Sequence, residues 1–177
     1  MKRIVLYTLV GVLLLAIIAG VFGIVGFLNF MKPGIHSFAG YTKLDFQETV
    51  YFVNADTKEV DGSSTVTVSG IIQPVDAAGA SLPFNGSMSV AQYPKSLESG
   101  YDYFVASASN GMISLTCRHT LNEGVAYWLI MNEKDPSIYA VHIYLEDGQT
   151  VTAYPGGNEQ EAVANCEAYW QWFQTIN

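Results

Sequence analysis

The chain has 177 residues, half of them apolar, and carries sixteen acidic side chains against eight basic ones for a formal charge of −8. All the acids follow residue 30. Beyond Lys32 they face only five basic residues, so this part has a formal charge of −11, which repels nucleic acid and anionic lipid headgroups and leaves cationic partners or plain solvated surface.

The first predicted element is a transmembrane helix over residues 4–30, preceded by a cytoplasmic N-terminus of residues 1–3. The run from Ile4 to Phe30 contains no charged side chain, and its polar breaks are Tyr7, Thr8 and Asn29. At 1.5 Å per residue it reaches roughly 40 Å, more than the ~30 Å hydrocarbon core, so it spans the bilayer with tilt. Lys2 and Arg3 precede it and Lys32 alone follows, a bias that puts the N-terminus in the cytoplasm and the remainder outside it: periplasm, cell surface or lumen. The competing reading is a signal peptide cleaved after Ala39, but an apolar region of about 7 to 15 residues is usual there and this one is far longer. Ala16 with Gly20 and Ala19 with Gly23 are small-xxx-small pairs, followed by Gly26, and suit a homodimer through Gly20 and Gly23. Gly is also simply common in membrane helices.

Residues 31–40 read as a linker, with Pro33 and Gly34 ending the helix. From residue 41 to 177 the pattern predicts one mainly β domain with a C-terminal helix. Runs rich in Val, Ile, Thr, Tyr and Phe alternate with turn residues, as in antiparallel strands. Strands are expected over Asp45–Asn54, Ser64–Ile72 and Phe84–Tyr93, with a loop from Gln73 to Pro83. A five-strand meander then covers Tyr101–Ser107, Met112–Thr120, Val125–Met131, Ile138–Leu145 and Gln149–Tyr154. Its breaks, Asn110-Gly111, Asn122-Glu123-Gly124 and Asp147-Gly148, are hairpin chemistry. Asn85-Gly86-Ser87 is the single N-x-Ser/Thr sequon and also reads as a turn. A helix over residues 158–175 begins with Asn158 as N-cap and Glu161 completing a capping box. Its stripe of Ala162, Val163, Cys166, Tyr169, Trp170 and Phe173 should lie on the sheet. The fold class is therefore mainly β (α+β): an antiparallel sandwich or partly closed barrel, a C-terminal helix packed on it and one N-terminal membrane helix.

Cys117 falls on the apolar face of a strand and Cys166 on the apolar stripe of the helix, which in an oxidising compartment predicts a disulfide. The three histidines are dispersed. His119 and His142 are the weak metal candidates, since with Cys117 they would suit a soft metal if their strands met. No GxSxG, HExxH, P-loop or GxGxxG motif occurs, no cofactor is implied, and the reading leans away from an enzyme. Aromatic residues crowd the C-terminal part, on both faces of the meander, and Trp128, Tyr139, Tyr144 and Trp172 are the candidate binding residues. The function expected is a membrane-anchored extracytoplasmic module that binds a protein partner, either within an envelope complex or as an inhibitor or immunity-like protein capturing a cationic partner. The alternative is a carrier enclosing a small apolar or sugar ligand.

Overall fold

A computed structural model describes residues 2–73, 82–91, 102–109, 111–119, 126–145 and 148–176, with the side chains of residues 2–11, 82–83, 102–109, 118–119 and 126 outside that description. Helix α1 (Lys2–Phe30) contains a stretch, Val12–Phe30, that is long and apolar enough to cross a membrane and is not buried within the chain. Nine antiparallel strands follow in a single sheet: β1 (Gly34–Phe38), β2 (Tyr41–Val53), β3 (Val60–Ile72), β4 (Leu82–Val90), β5 (Asp102–Ser109), β6 (Met112–His119), β7 (Ala126–Asn132), β8 (Tyr139–Tyr144) and β9 (Thr150–Pro155). Helix α2 (Glu159–Ile176) ends the fold.

Each strand pairs with its neighbour in sequence, and β2 also pairs with β9, which turns eight of the strands into a nearly closed barrel. The ring is uneven. The β2–β3 ladder runs almost the length of two 13-residue strands, whereas β4 meets β5 through two residue pairs and β9 meets β2 through three. Strand β1 shares one edge of β2 with β9: it occupies Tyr41–Asp45, and β9 occupies Val50–Phe52. The segment read as a linker therefore adds a strand to the sheet, and Ile35 packs against the core.

Strand alternation sorts the apolar residues into two clusters. One fills the barrel interior with Leu44, Val66, Met88, Leu115, Tyr127, Leu129, Val141 and Ile143 among its fully buried members. The other lies on the outer face, where Ile130, Ala140 and Tyr154 meet Ala162, Cys166 and Tyr169 of α2. The predicted helical stripe does lie on the sheet. The start is like a capping box: Asn158 Oδ1 accepts from the Glu161 N–H at 3.0 Å, and Glu161 Oε2 accepts from the N–H of Gly157, one residue before the cap, at 2.9 Å.

Two expectations are corrected. Asn85 and Gly86 make no turn; they lie within β4, opposite Ile71 and Gly70 of β3. A β-carbon at Gly86 would collide with the Ser69 carbonyl and with Gly70 Cα, so the close backbone approach explains the glycine pair. Nor do Cys117 and Cys166 form a disulfide. Cys117 points into the barrel with Leu115, while Cys166 lies beneath α2 on the outside, so a strand of the sheet's own thickness separates the clusters they belong to. Asn110, Asn122-Glu123-Gly124 and Asp147 lie outside the described residues, but Gly111 and Gly148 have φ of 76° and 82°, the left-handed geometry that such hairpins need.

Candidate functional site: an acidic cleft at the open seam

The β2–β9 seam stops at Phe52 and Ala153 although both strands continue. A register shift between Tyr51 and Val53 in the β2–β3 ladder explains the parting, with Gly62 opposite it at φ 87°. Such a bulge raises the local twist and bends its strand, here carrying the β2–β3 hairpin away from β9. The gap becomes a cleft of about 790 Å³. One wall is Val53, Asn54, Val60 and Asp61, the other is Thr150, Val151 and Thr152, and Tyr154 and Trp170 lie at its inner end.

The hairpin loop is built by local side-chain chemistry. Asn54 Oδ1 accepts from the N–H groups of Asp56 and Thr57 at 2.9 and 3.1 Å, and the Asn54 N–H donates to the Glu59 carbonyl at 2.9 Å. Lys58 takes the left-handed position at φ 62° and turns the chain. The charged side chains lining the cleft, Glu59 and Asp61, are both acidic. On the opposite wall, antiparallel alternation gives the main chain of Tyr154 to β2 and turns that of Thr152 and Thr150 the same way, into the gap. The cleft thus offers two carboxylates, an aromatic floor and a strand edge.

The residues singled out in the sequence do not gather at this cleft. Tyr139 is buried in the interior and its hydroxyl donates to Glu48 Oε2 at 2.8 Å; burial first, then the Glu48 charge, holds its pKa well above the ordinary tyrosine range. Trp128 is half-buried on the outer face, its indole N–H donating to Ser114 Oγ at 2.7 Å. Trp172 packs against Tyr169 and Phe173, with ring centroids 5.8 and 6.3 Å apart. Tyr144 is exposed, at the end of β8. The aromatic surplus is consequently a packing feature, because α2 covers the outer face that would otherwise need a partner.

His142 belongs to that packing. Its Nδ1 lies 3.0 Å from Thr152 Oγ1 and its Nε2 3.3 Å from the Tyr169 hydroxyl, with the Trp128 ring alongside. Burial pushes its pKa down to about 4, so it is neutral at pH 7. Both ring nitrogens are engaged, and Cys117 is on the other side of the sheet. The His119 side chain lies outside the described residues, among which no group of three or more His, Cys, Asp or Glu could hold a metal ion. The cleft is hard to see in the sequence because β3 begins at Val60 and not at the Ser64 expected, whereas β2 ends within one residue of the Asn54 expected. The Asn54-Ala55-Asp56-Thr57 turn chemistry, well before Ser64, is the signal for the true length of β3.

Comparison with protein-family models, with curated proteins and with solved structures gives no match to this chain.

Proposed function

We propose that the chain is a membrane-anchored binding module, its β domain outside the cytoplasm, that takes an extended cationic segment of a protein partner into the seam cleft. The observation that carries this reading is the parting of β2 from β9, which exposes a strand edge opposite Glu59 and Asp61. Strand addition supplies affinity through main-chain hydrogen bonds and specificity through side-chain pockets. The acidic balance beyond residue 32 adds long-range attraction for a cationic partner. The carrier reading finds less support, since tightly packed side chains such as Leu115, Tyr127, Leu129 and Met88 occupy the barrel interior.

The test places a photo-cross-linking residue at Thr150, an exposed position of the cleft wall, in the full-length, membrane-bound chain. A recurrent protein adduct is expected, abolished by Glu59→Lys with Asp61→Lys while the thermal unfolding of the domain is unchanged. An adduct indifferent to this charge reversal, or none at all, overturns the reading. Protease present on the extracytoplasmic side of sealed membranes should cut the β domain, and protease on the cytoplasmic side should spare it, which checks the orientation.

A further inference from the structure

The exit of α1 is gripped by the sheet. Lys43 of β2 donates from Nζ to the Met31 and Lys32 carbonyls, at 3.2 and 2.9 Å, and pairs with Asp45 at 2.9 Å. These carbonyls lie just past the helix end at Phe30, near the negative end of its dipole, which favours a cation. The β1–β2 hairpin then folds back along the helix. Phe38 rests on Gly26, whose absent β-carbon would lie 2.8 Å from the ring, and its centroid is 6.2 Å from Phe27 and 6.3 Å from Phe30.

Depth follows from length. Residues 4–25 as helix reach roughly 33 Å, close to the ~30 Å hydrocarbon core, so for a span that begins at Ile4 with little tilt Gly26 and the Phe38 ring that covers it stand near the level where the helix leaves it. The hairpin tip, Phe38-Ala39-Gly40-Tyr41, is therefore at headgroup depth. Its chemistry fits that place. Among the described residues beyond Phe30, the large apolar or aromatic side chains that are exposed are Met31, Tyr41 and Tyr144, and one of these, Tyr41, belongs to the tip. Tyrosine is favoured at that depth.

The turn itself carries an independent sign. Phe38 pairs with Tyr41 across a two-residue loop in which Ala39 has φ 51° and Gly40 φ 85°. Both central residues of such a turn take left-handed backbone, for which Asn-Gly or Asp-Gly is the preferred pair. Alanine there costs about 1 kcal/mol of strain and keeps a polar side chain off the tip.

We infer that the β1–β2 hairpin tip, Phe38 to Tyr41, is a second membrane contact that seats in the lipid interface and fixes the angle of the barrel to the bilayer. This rests on the membrane-anchor reading of α1. The β2–β3 ribbon then rises from the surface, putting the cleft at the end away from the lipid, since Tyr41 and Val53 are opposite ends of β2. The tip itself has no acidic residue.

The experiment uses the full chain in phosphatidylcholine vesicles, with an environment-sensitive fluorophore on a cysteine introduced singly at Leu14, Tyr41 or Thr57. Lipid-borne shallow quenchers should reduce emission at position 41 by about twofold or more, deep quenchers should act at position 14, and position 57 should respond to neither. Ala39→Asp, which suits the left-handed backbone better than alanine, should keep the fold and abolish shallow quenching at position 41. If position 14 is quenched while 41 behaves like 57, the tip is not seated and the inference fails with the anchor intact. If position 14 is not quenched, the anchor reading itself fails. Quenching at 41 that persists in Ala39→Asp also overturns the inference, because the tip would then be near lipid without depending on its apolar surface.

Discussion

Cys117 and Cys166 lie on opposite faces of one sheet, the first inside the barrel with Leu115 and the second under α2 beside Tyr154. Both thiols are buried, and burial above all pushes the Cys166 thiol up, which keeps it protonated and slow to react. Alkylation of the unfolded chain without reductant should therefore add two labels, while the native chain labels slowly. A reducing agent should leave the thermal midpoint where it was. One intramolecular cross-link detected by mass would contradict the arrangement.

His142 makes the docking of α2 sensitive to acid. The unfolded chain binds a proton at this site near pH 6.5, whereas the folded chain does so only near 4. Stability from this group is thus complete above pH 6.5 and is lost as pH falls toward 4, at no more than about 1.4 kcal/mol per pH unit. Comparing urea unfolding of the wild type and His142→Gln across that window isolates the slope, since carboxylates contribute equally to both. Equal slopes would show that the imidazole is solvated.

The Gly70–Gly86 pair admits the closest approach of β3 and β4, with the Phe84 ring lying over both. The obstacles to a methyl group are mostly backbone atoms, which cannot swing aside. Gly86→Ala should cost about 2 kcal/mol or more, measured as a lower denaturant midpoint. Gly62→Ala, where a β-carbon meets nothing within 4 Å but φ is 87°, should cost less, through backbone strain alone.

Removing the cap at the start of α2 tests how firmly that helix is held. Asn158→Ala deletes the acceptor for the Glu161 N–H and should cost about 1 kcal/mol. Hydrogen exchange at Glu161 and Ala162 should accelerate in step, while amides of β6 and β7 keep their protection.

The legible parts of this fold were those in which one face meets a different environment from the other. Alternation in Met112–His119 separated Leu115 and Cys117 from Ser114 and Thr116, and the spacing of Ala162, Cys166 and Tyr169 marked the docked side of α2, as the structure bears out. Periodicity says that a face is buried but not against what. Cys117 and Cys166 were for that reason assigned to a common core, and Trp128 and Tyr139 to a surface, before the two clusters were distinguished. Asn85-Gly86 misled because asparagine and glycine favour turns through local backbone freedom, whereas here tertiary approach of two strands decides the residue. The cleft is the least legible feature, since the turn chemistry at Asn54 marks the end of β2 but not the register shift that parts β2 from β9.

The narrow β2–β9 seam also sets an order on folding. Every other pairing in the barrel joins consecutive strands, so most of the sheet can assemble hairpin by hairpin from contacts close in sequence. The seam instead brings together Val50 and Pro155, roughly one hundred residues apart, and must meet the entropy of that closure with three residue pairs and the docking of α2. Closure of the ring is accordingly expected to come late in folding, helped by the helix that packs on the seam's strands from outside.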